Sequence, residues 1–260
     1  MPDTVFHRAI VRPPTENFAD GLTTVDLGVP DFAKALEQHA AYGAALERCG
    51  LMVTRLSPDP RYPDATFVED TAILTPSGAI LTRPGAPSRA GEVAAIEPAL
   101  RCFFPGLPRI EGPGTVDGGD VCEAGEHFFI GISARTNAEG ARQLARHLAA
   151  FGYTSAEVDI REVPGILHLK SGLAAFSERL LAVIGPLAGH PAFRSYERLE
   201  VDPAESYAAN GVRVNDTLLV ASGFPKFAAE VRRLGLSTIE LDMSEFQKMD
   251  GGLSCLSLRF

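Results

Sequence analysis

A thiol preceded by two glycines lies in "MDGGLSC", residues 249–255. Glycines let a backbone or a ligand approach closely, so Cys255 reads as a nucleophile and not as a small core residue. Further polar residues stand out upstream: Glu69 and Asp70 in "FVED", Asp117 and Asp120 in "DGGD", His168 and Lys170 in "LHLKSG", and Asn210 in "YAANG". A thiol, a histidine and several carboxylates admit a narrow choice of reactions. Cys–His hydrolases normally add an oxyanion hole, whereas a site lined with acids repels an oxyanion and suits a substrate that is positive at the start. A guanidinium fits, because it is planar, always charged and able to share pairs of N–H donors with carboxylates. Asp70 and Asp117 are expected to bind it and present its central carbon to Cys255. The substrate's own charge helps to form the thiolate. His168 then protonates the departing nitrogen and later activates the water that hydrolyses the thiouronium intermediate.

The other polar motifs carry less. "GPGTVDGGD" (112–120) lacks the Lys-Ser/Thr ending and following helix of a phosphate cradle. "CEAGEH" (122–127) offers Cys, Glu and His without a recognised metal spacing, so it makes a weak metal site. Cys49, Cys102 and Cys122 read as small buried hydrophobes, and no cysteine pair has zinc-finger spacing or secretory context. Reduced thiols in a cytoplasmic chain are therefore expected. The 260 residues carry a formal net charge of −9 and no basic stripe, which excludes nucleic acid as a general partner. No apolar run approaches the roughly 20 residues of a membrane span, and "MPDTVFHRAIVRPP" lacks the apolar stretch of a signal peptide. The expected partner is a small cationic molecule, and a homodimer is compatible with it.

These residues need a frame that brings them together, and the chain repeats itself at roughly 40–50 residues. The unit is strand, turn, strand, helix, strand. It begins at "FVEDTAILTPSGAILTRPG" and recurs at "DGGDVCEAGEHFFIG", "LHLKSGLAAFSERLLAVIG" and "YAANGVRVNDTLLVASG". "TPSG" and "VND" are hairpin turns. In "TNAEGARQLARHLAAFG", Asn137 is an N-cap, Leu144, Leu148 and Phe151 share a face, and Gly152 ends the helix. "PKFAAEVRRLG" repeats the pattern between Pro225 and Gly235. The N-terminal part is a strand, "VFHRAIVRP", then a helix whose Phe32, Ala35, Leu36, His39 and Leu46 share a face, then "LMVTRL". That part lacks its first strand, and "GGLSCLSLRF" is a first strand lacking its module. Joined in space they make a fifth unit, so residues 1–260 are expected to form one α/β domain, a ring of five ββαβ repeats with the polar positions at its axis.

The quoted motifs, with "GTVDGGDV", "ISARTNAEGARQL", "ESYAANG" and "DGGLSCLSLRF", closely resemble those of the dimethylarginine dimethylaminohydrolases, in the guanidine-modifying amidinotransferase/deiminase superfamily. The resemblance covers essentially the whole chain. It implies a five-bladed α/β propeller, the pentein fold. It also implies hydrolysis of Nω,Nω-dimethylarginine and monomethylarginine to citrulline and a methylamine, without metal or organic cofactor. By resemblance Cys255 matches the nucleophile, His168 the general acid/base, and Asp70 and Asp117 the guanidinium-binding carboxylates. Arg89 and Arg135 match the pair that holds the substrate α-carboxylate. Asp64 and the backbone around Leu22 match the α-amino contacts, with Glu69 as adjacent support. "TENFADGLTTVDLG" (15–28) is then a lid hinged at Gly21 and Gly28. Arginine deimination and amidinotransfer use the same chemistry and stand as alternatives, as does a non-catalytic guanidine-binding protein.

Overall fold

The computed structural model describes residues 5–260, so the first four residues of the N-terminal stretch read above lie outside it. Among the described residues the strands form five small sheets. One plan recurs: a first strand pairs antiparallel with a second, and the second pairs parallel with a third. Val121–Ala124, His127–Ile132 and Thr154–Asp159 follow it, as do Leu173–Ala175, Leu180–Ile184 and Glu197–Val201. Val212–Val214, Thr217–Ala221 and Ser237–Leu241 do the same. A parallel partner cannot be reached by a tight turn, so each second strand leads into a crossover that carries a helix. Second strands such as "HFFIGI" and "LLAVI" are almost wholly buried, while the third strands alternate with solvent. The apolar side chains therefore collect between blades and helices, and the ring centre is left to polar groups.

The ring closes as expected. Leu258–Arg259 pairs antiparallel with Arg8–Val11, placing Ile10 opposite Leu258, and Arg8–Val11 pairs parallel with Met52–Arg55. The amides of His7 and Arg8 donate to the Phe260 carbonyl at 2.9 and 2.7 Å. The last strand of the chain thus completes the blade begun by its first.

Local chemistry sets the helices. Asn137 accepts from the Gly140 amide at 2.8 Å and starts Ala138–Ala150, whose Ala141, Leu144 and Leu148 are buried; Gly152 has φ +93° just beyond its end. In Phe32–Arg48 the buried stripe runs through Ala35, Gln38, His39, Tyr42 and Leu46. Leu36, expected on that face, is 36% exposed, because a stripe that steps by three and four from Ala35 leaves position 36 roughly 100° to one side.

Two blades depart from the repeat. "PGLPRI" gives no third strand to Ala72–Thr75 and Gly78–Leu81. Pro108 has no amide to donate, and only a single bridge joins Leu81 to Arg109. In "GPLAGHPAF" the prolines and glycines reduce the crossover to Gly185–Ala188 and a turn at Pro191–Phe193. Cys122 is buried as expected and Cys49 half-buried, but Cys102 is exposed beyond the end of the Glu92–Arg101 helix.

A tight helical turn leads into each first strand: Val68–Thr71, Gly118–Asp120, Leu169–Ser171, Pro203–Ala209 and Ser254–Leu256. Side chains link these turns around the ring. Asp70 Oδ1 accepts from the Gly119 amide at 2.8 Å, Asp120 Oδ1 from Leu169 at 3.0 Å, and Asn210 Oδ1 from Ser254 at 3.0 Å. Each polar side chain thereby satisfies a buried amide of the following blade. No helix among the described residues is long and apolar enough to cross a membrane.

Leu258 is 4% exposed and packs with Ile10 and Ile96. Leu258→Ala is expected to cost about 2–4 kcal/mol, read from urea unfolding at unchanged slope. A wild-type midpoint would mean that closure contributes little to stability.

Candidate active site

Cys255 lies in the Ser254–Leu256 turn, half-buried, and the Gly252 amide donates to its sulfur at 3.4 Å. The two preceding glycines are there for close approach. A Cβ on Gly251 would lie 2.4 Å from the Phe67 ring, and one on Gly252 would lie 2.4 Å from Asn210 Oδ1. Cys255 lines a narrow cavity with His168, Asp70, Arg135, Asp64 and Leu22. Behind it, His168 Nε2 is 3.0 Å from Asp117 Oδ2, and Asp117 Oδ1 accepts from the Gly85 amide at 2.7 Å.

Asp117 is wholly buried and is not part of the cavity wall. The expectation that it shares a guanidinium with Asp70 does not fit this placement, since both of its oxygens face protein donors. Glu69 is also displaced from its expected place beside the substrate. Its oxygens take Lys170 Nζ at 2.6 Å and Ser254 Oγ at 2.8 Å, and it lines a second cavity of about 180 Å³ together with Lys170 and Ser254. Successive residues of one tight turn point to different sides, so Asp70 and Glu69 serve different cavities.

Arg89 reaches the cavity wall, but its donors go to Asp70 Oδ2, to Glu92 and to the Phe67 carbonyl. Among the described residues Arg135 makes no side-chain hydrogen bond or ion pair. Asp64 accepts from the Leu22 amide at 3.1 Å, which ties residues 22–25 across the mouth; Thr24 N also donates to Asp250 Oδ2. Gly28, expected as a hinge, has φ +86°; Gly21 is extended, at φ −66°. Phe67, Leu167, Met249 and Asp250 also line the cavity, beyond the residues that the sequence singles out. Only the last two had a signal, their place in "MDGG".

The charges are strongly coupled. Burial opposes a charged His168, but Asp120, Asp70 and Asp117 outweigh it and raise the imidazole to about 9. Burial likewise opposes a charged Asp70, yet Arg89 and His168 hold it near 2. For Cys255 burial and the carboxylates of Glu69 and Asp70 act together and push the thiol up to about 12, against the Gly252 amide and Lys170. At neutral pH the site holds a thiol, an imidazolium and a carboxylate. Donor atoms of Asp70, Asp117 and His168 lie within 4.8 Å of one another. A metal uses such spacing, but it would have to displace the proton of a basic imidazole and the Arg89 partner of Asp70.

A five-bladed α/β propeller with a cysteine, a histidine and carboxylates where its blades meet is a pentein of the guanidine-modifying class. No family model matches the chain. It is 47% identical over 257 residues to the N(G),N(G)-dimethylarginine dimethylaminohydrolase of Pseudomonas aeruginosa, covering 98% of this chain and 100% of that one. Against the Streptomyces coelicolor protein of the same name it is 36% identical over 253 residues, 97% and 96% of the two chains. The chain belongs to the dimethylarginine dimethylaminohydrolase family. The solved structure of a cysteine-to-serine variant from P. aeruginosa, complexed with citrulline, superposes with a TM-score of 0.96 at 46% identity, covering 99% of this chain and 100% of that one. A histidine-to-glycine variant as an adduct with S-methyl-L-thiocitrulline gives 0.95 at 46%, covering 98% and 100%. At 18% identity the N-terminal domain of ArgZ shares the fold, with a TM-score of 0.86 over 97% of each chain.

Because folding raises His168 above its ordinary 6.5, its charged-form contacts stabilise the fold fully below that pH and are lost as pH rises through about 9. NMR titration of the His168 ring is expected to show a proton retained through pH 8 in the free protein, with a lower midpoint in Asp117→Asn. An ordinary midpoint near 6.5 in the wild type would overturn this electrostatic description.

Proposed function

We propose that this chain hydrolyses Nω,Nω-dimethyl-L-arginine, and Nω-methyl-L-arginine, to citrulline and dimethylamine or methylamine through a covalent Cys255 thiouronium. The observation that carries the reading is that Cys255, His168 and Asp70 line one cavity while Asp117 backs the imidazole. Family membership and the citrulline and thiocitrulline complexes of relatives support it.

In this mechanism Asp70 receives the guanidinium, exchanging its Arg89 contact for the substrate. A cation about 4 Å from the sulfur, at an effective dielectric near 20, favours the thiolate by about 4 kcal/mol, or roughly three pKa units. That moves a thiol at about 12 to within reach of neutral pH, and the thiol proton leaves to solvent. The thiolate attacks the central carbon. His168, already protonated, gives its proton to the departing amine, and the C–N bond breaks to leave the thiouronium. The neutral imidazole, held by Asp117, then takes a proton from the water that attacks the same carbon. Breaking the C–S bond expels the thiolate, which takes up the proton lost from the intermediate's hydroxyl, so citrulline leaves and the resting thiol and imidazolium are restored.

Recognition of the amino-acid end falls to Asp64 and the Leu22 backbone for the α-amino group. Arg135, with its donors uncommitted, carries the greater part of the α-carboxylate contact, and Arg89 assists from behind Asp70. The cavity offers about 20 Å³, room for about one water and not for an arginine derivative, so the 15–28 segment acts as a lid that opens before substrate enters. This reading takes residues 1–260 as one catalytic domain, needs no cofactor from its donor set, and places the enzyme in the cytoplasm, which its free thiols support. A homodimer is compatible with it, since one copy supplies the full catalytic set.

Citrulline release is expected from dimethylarginine with kcat/KM well above that for arginine, and turnover in Cys255→Ser is expected to fall by at least about 10³-fold. Equal or better turnover of arginine would refute the substrate, and an active Cys255→Ser would refute the mechanism.

A further inference from the structure

The blade of Val212–Val214, Thr217–Ala221 and Ser237–Leu241 brings no group to the cavity wall, although its turn "ESYAANG" occupies the place that supplies Asp70 and His168 in other blades. Its side chains go instead to the segment that carries the nucleophile. Asn210, 7% exposed, uses both ends of its amide: Oδ1 accepts from the Ser254 backbone at 3.0 Å, and Nδ2 donates to Ser254 Oγ at 3.1 Å and to the Lys170 carbonyl at 2.8 Å. One side chain therefore grips the residue before Cys255 at backbone and hydroxyl and ties it to the blade that carries His168. From the same turn, Tyr207 Oη donates to the Gly251 carbonyl at 2.8 Å. Gly252 must lack a side chain for Asn210 to sit where it does.

We propose that Asn210 is a positioning residue for catalysis, with Tyr207 as its auxiliary: together they hold the 251–255 segment so that the sulfur faces the bound guanidinium and keeps a fixed relation to His168. The inference rests on Cys255 being the nucleophile. A short nucleophile turn near a chain end frays unless tertiary bonds hold it, and its own backbone bonds are few: Cys255 N to Gly252 O at 3.2 Å is one. Beside the Ser254 Oγ bond to Glu69 at 2.8 Å, Asn210 adds a restraint made through neutral groups, so it brings no charge to a site whose protonation states are finely set. Asp at this place would add a carboxylate to Glu69 and Asp70, the two that already raise the thiol, and raise it further.

Two variants test this, with Cys255→Ser run in parallel. Asn210→Ala removes the whole grip, and Tyr207→Phe removes one hydroxyl while keeping the ring. In both, circular dichroism and thermal melting report the folded fraction. Alkylation of Cys255 by iodoacetamide, followed on its peptide by mass spectrometry, reports access to the sulfur without substrate. The expected result is a kcat lowered on the order of 10²-fold in Asn210→Ala and by less in Tyr207→Phe. KM stays within about threefold, since the groups that bind the substrate are untouched, and the alkylation rate departs from wild type in both. Wild-type kcat in both variants, or losses accounted for by unfolded protein or by KM alone, overturn the proposal. If Cys255→Ser is dead while these variants turn over normally, the positioning role fails and the nucleophile assignment stands. If Cys255→Ser is active, it is the mechanism that fails.

Discussion

The molecule is organised by the crowding of buried negative charge against a sulfur. Three carboxylates, Asp70, Asp117 and Asp120, surround one imidazole and keep it protonated, while Glu69 and Asp70 keep the nearby thiol protonated as well. A Cys–His pair left alone often exchanges a proton to give a thiolate and an imidazolium. Here the acids favour the cation and disfavour the anion, so the free protein holds a protonated imidazole beside a protonated thiol. Only a ligand that brings positive charge to Asp70 reverses the second effect. Selectivity for a cationic substrate follows from the same field that suppresses unwanted reactions of the thiol.

Such a field is tolerable because each carboxylate is held. Asp70 is bound by Arg89 and the Gly119 amide, Asp120 by Ser133 and the Leu169 amide, Asp117 by His168 and the Gly85 amide, and Glu69 by Lys170 and Ser254. Buried acids without such partners would protonate or destabilise the fold. The repeat makes these bonds possible, because each blade offers a tight turn whose amides face the side chains of the preceding blade. Function and closure of the ring therefore share the same hydrogen bonds.

Much of this is legible in the sequence. The recurring unit predicts the five blades, and the unmatched strand at each end predicts the closing pair, because alternating apolar runs punctuated by turn residues have few other ways to be buried. Cys255, His168 and Asp70 stand out as polar residues where burial would select valine or leucine. What the period does not resolve is the side to which a turn residue points. Glu69 and Asp70 are neighbours, yet one lines the cavity with the thiol and the other a separate cavity; Asp117 is withdrawn behind His168. Within a tight turn one residue's shift rotates a side chain by roughly a third of a circle. Arg89 was legible as a site residue through family resemblance, but its commitment to Asp70 and Glu92 depends on contacts distant in the repeat. The shortened crossover at 185–193 follows from its prolines and glycines, although the repeat argues for a full helix there.

The most direct test of this account is the ultraviolet thiolate absorbance of the free protein at neutral pH, with Cys255→Ser as the blank, before and after addition of a slowly reacting guanidinium analogue of arginine. The account requires essentially no thiolate from Cys255 in the free protein and the appearance of up to one equivalent when the cation binds. A full equivalent of thiolate before any ligand is added, unchanged on binding, would contradict it.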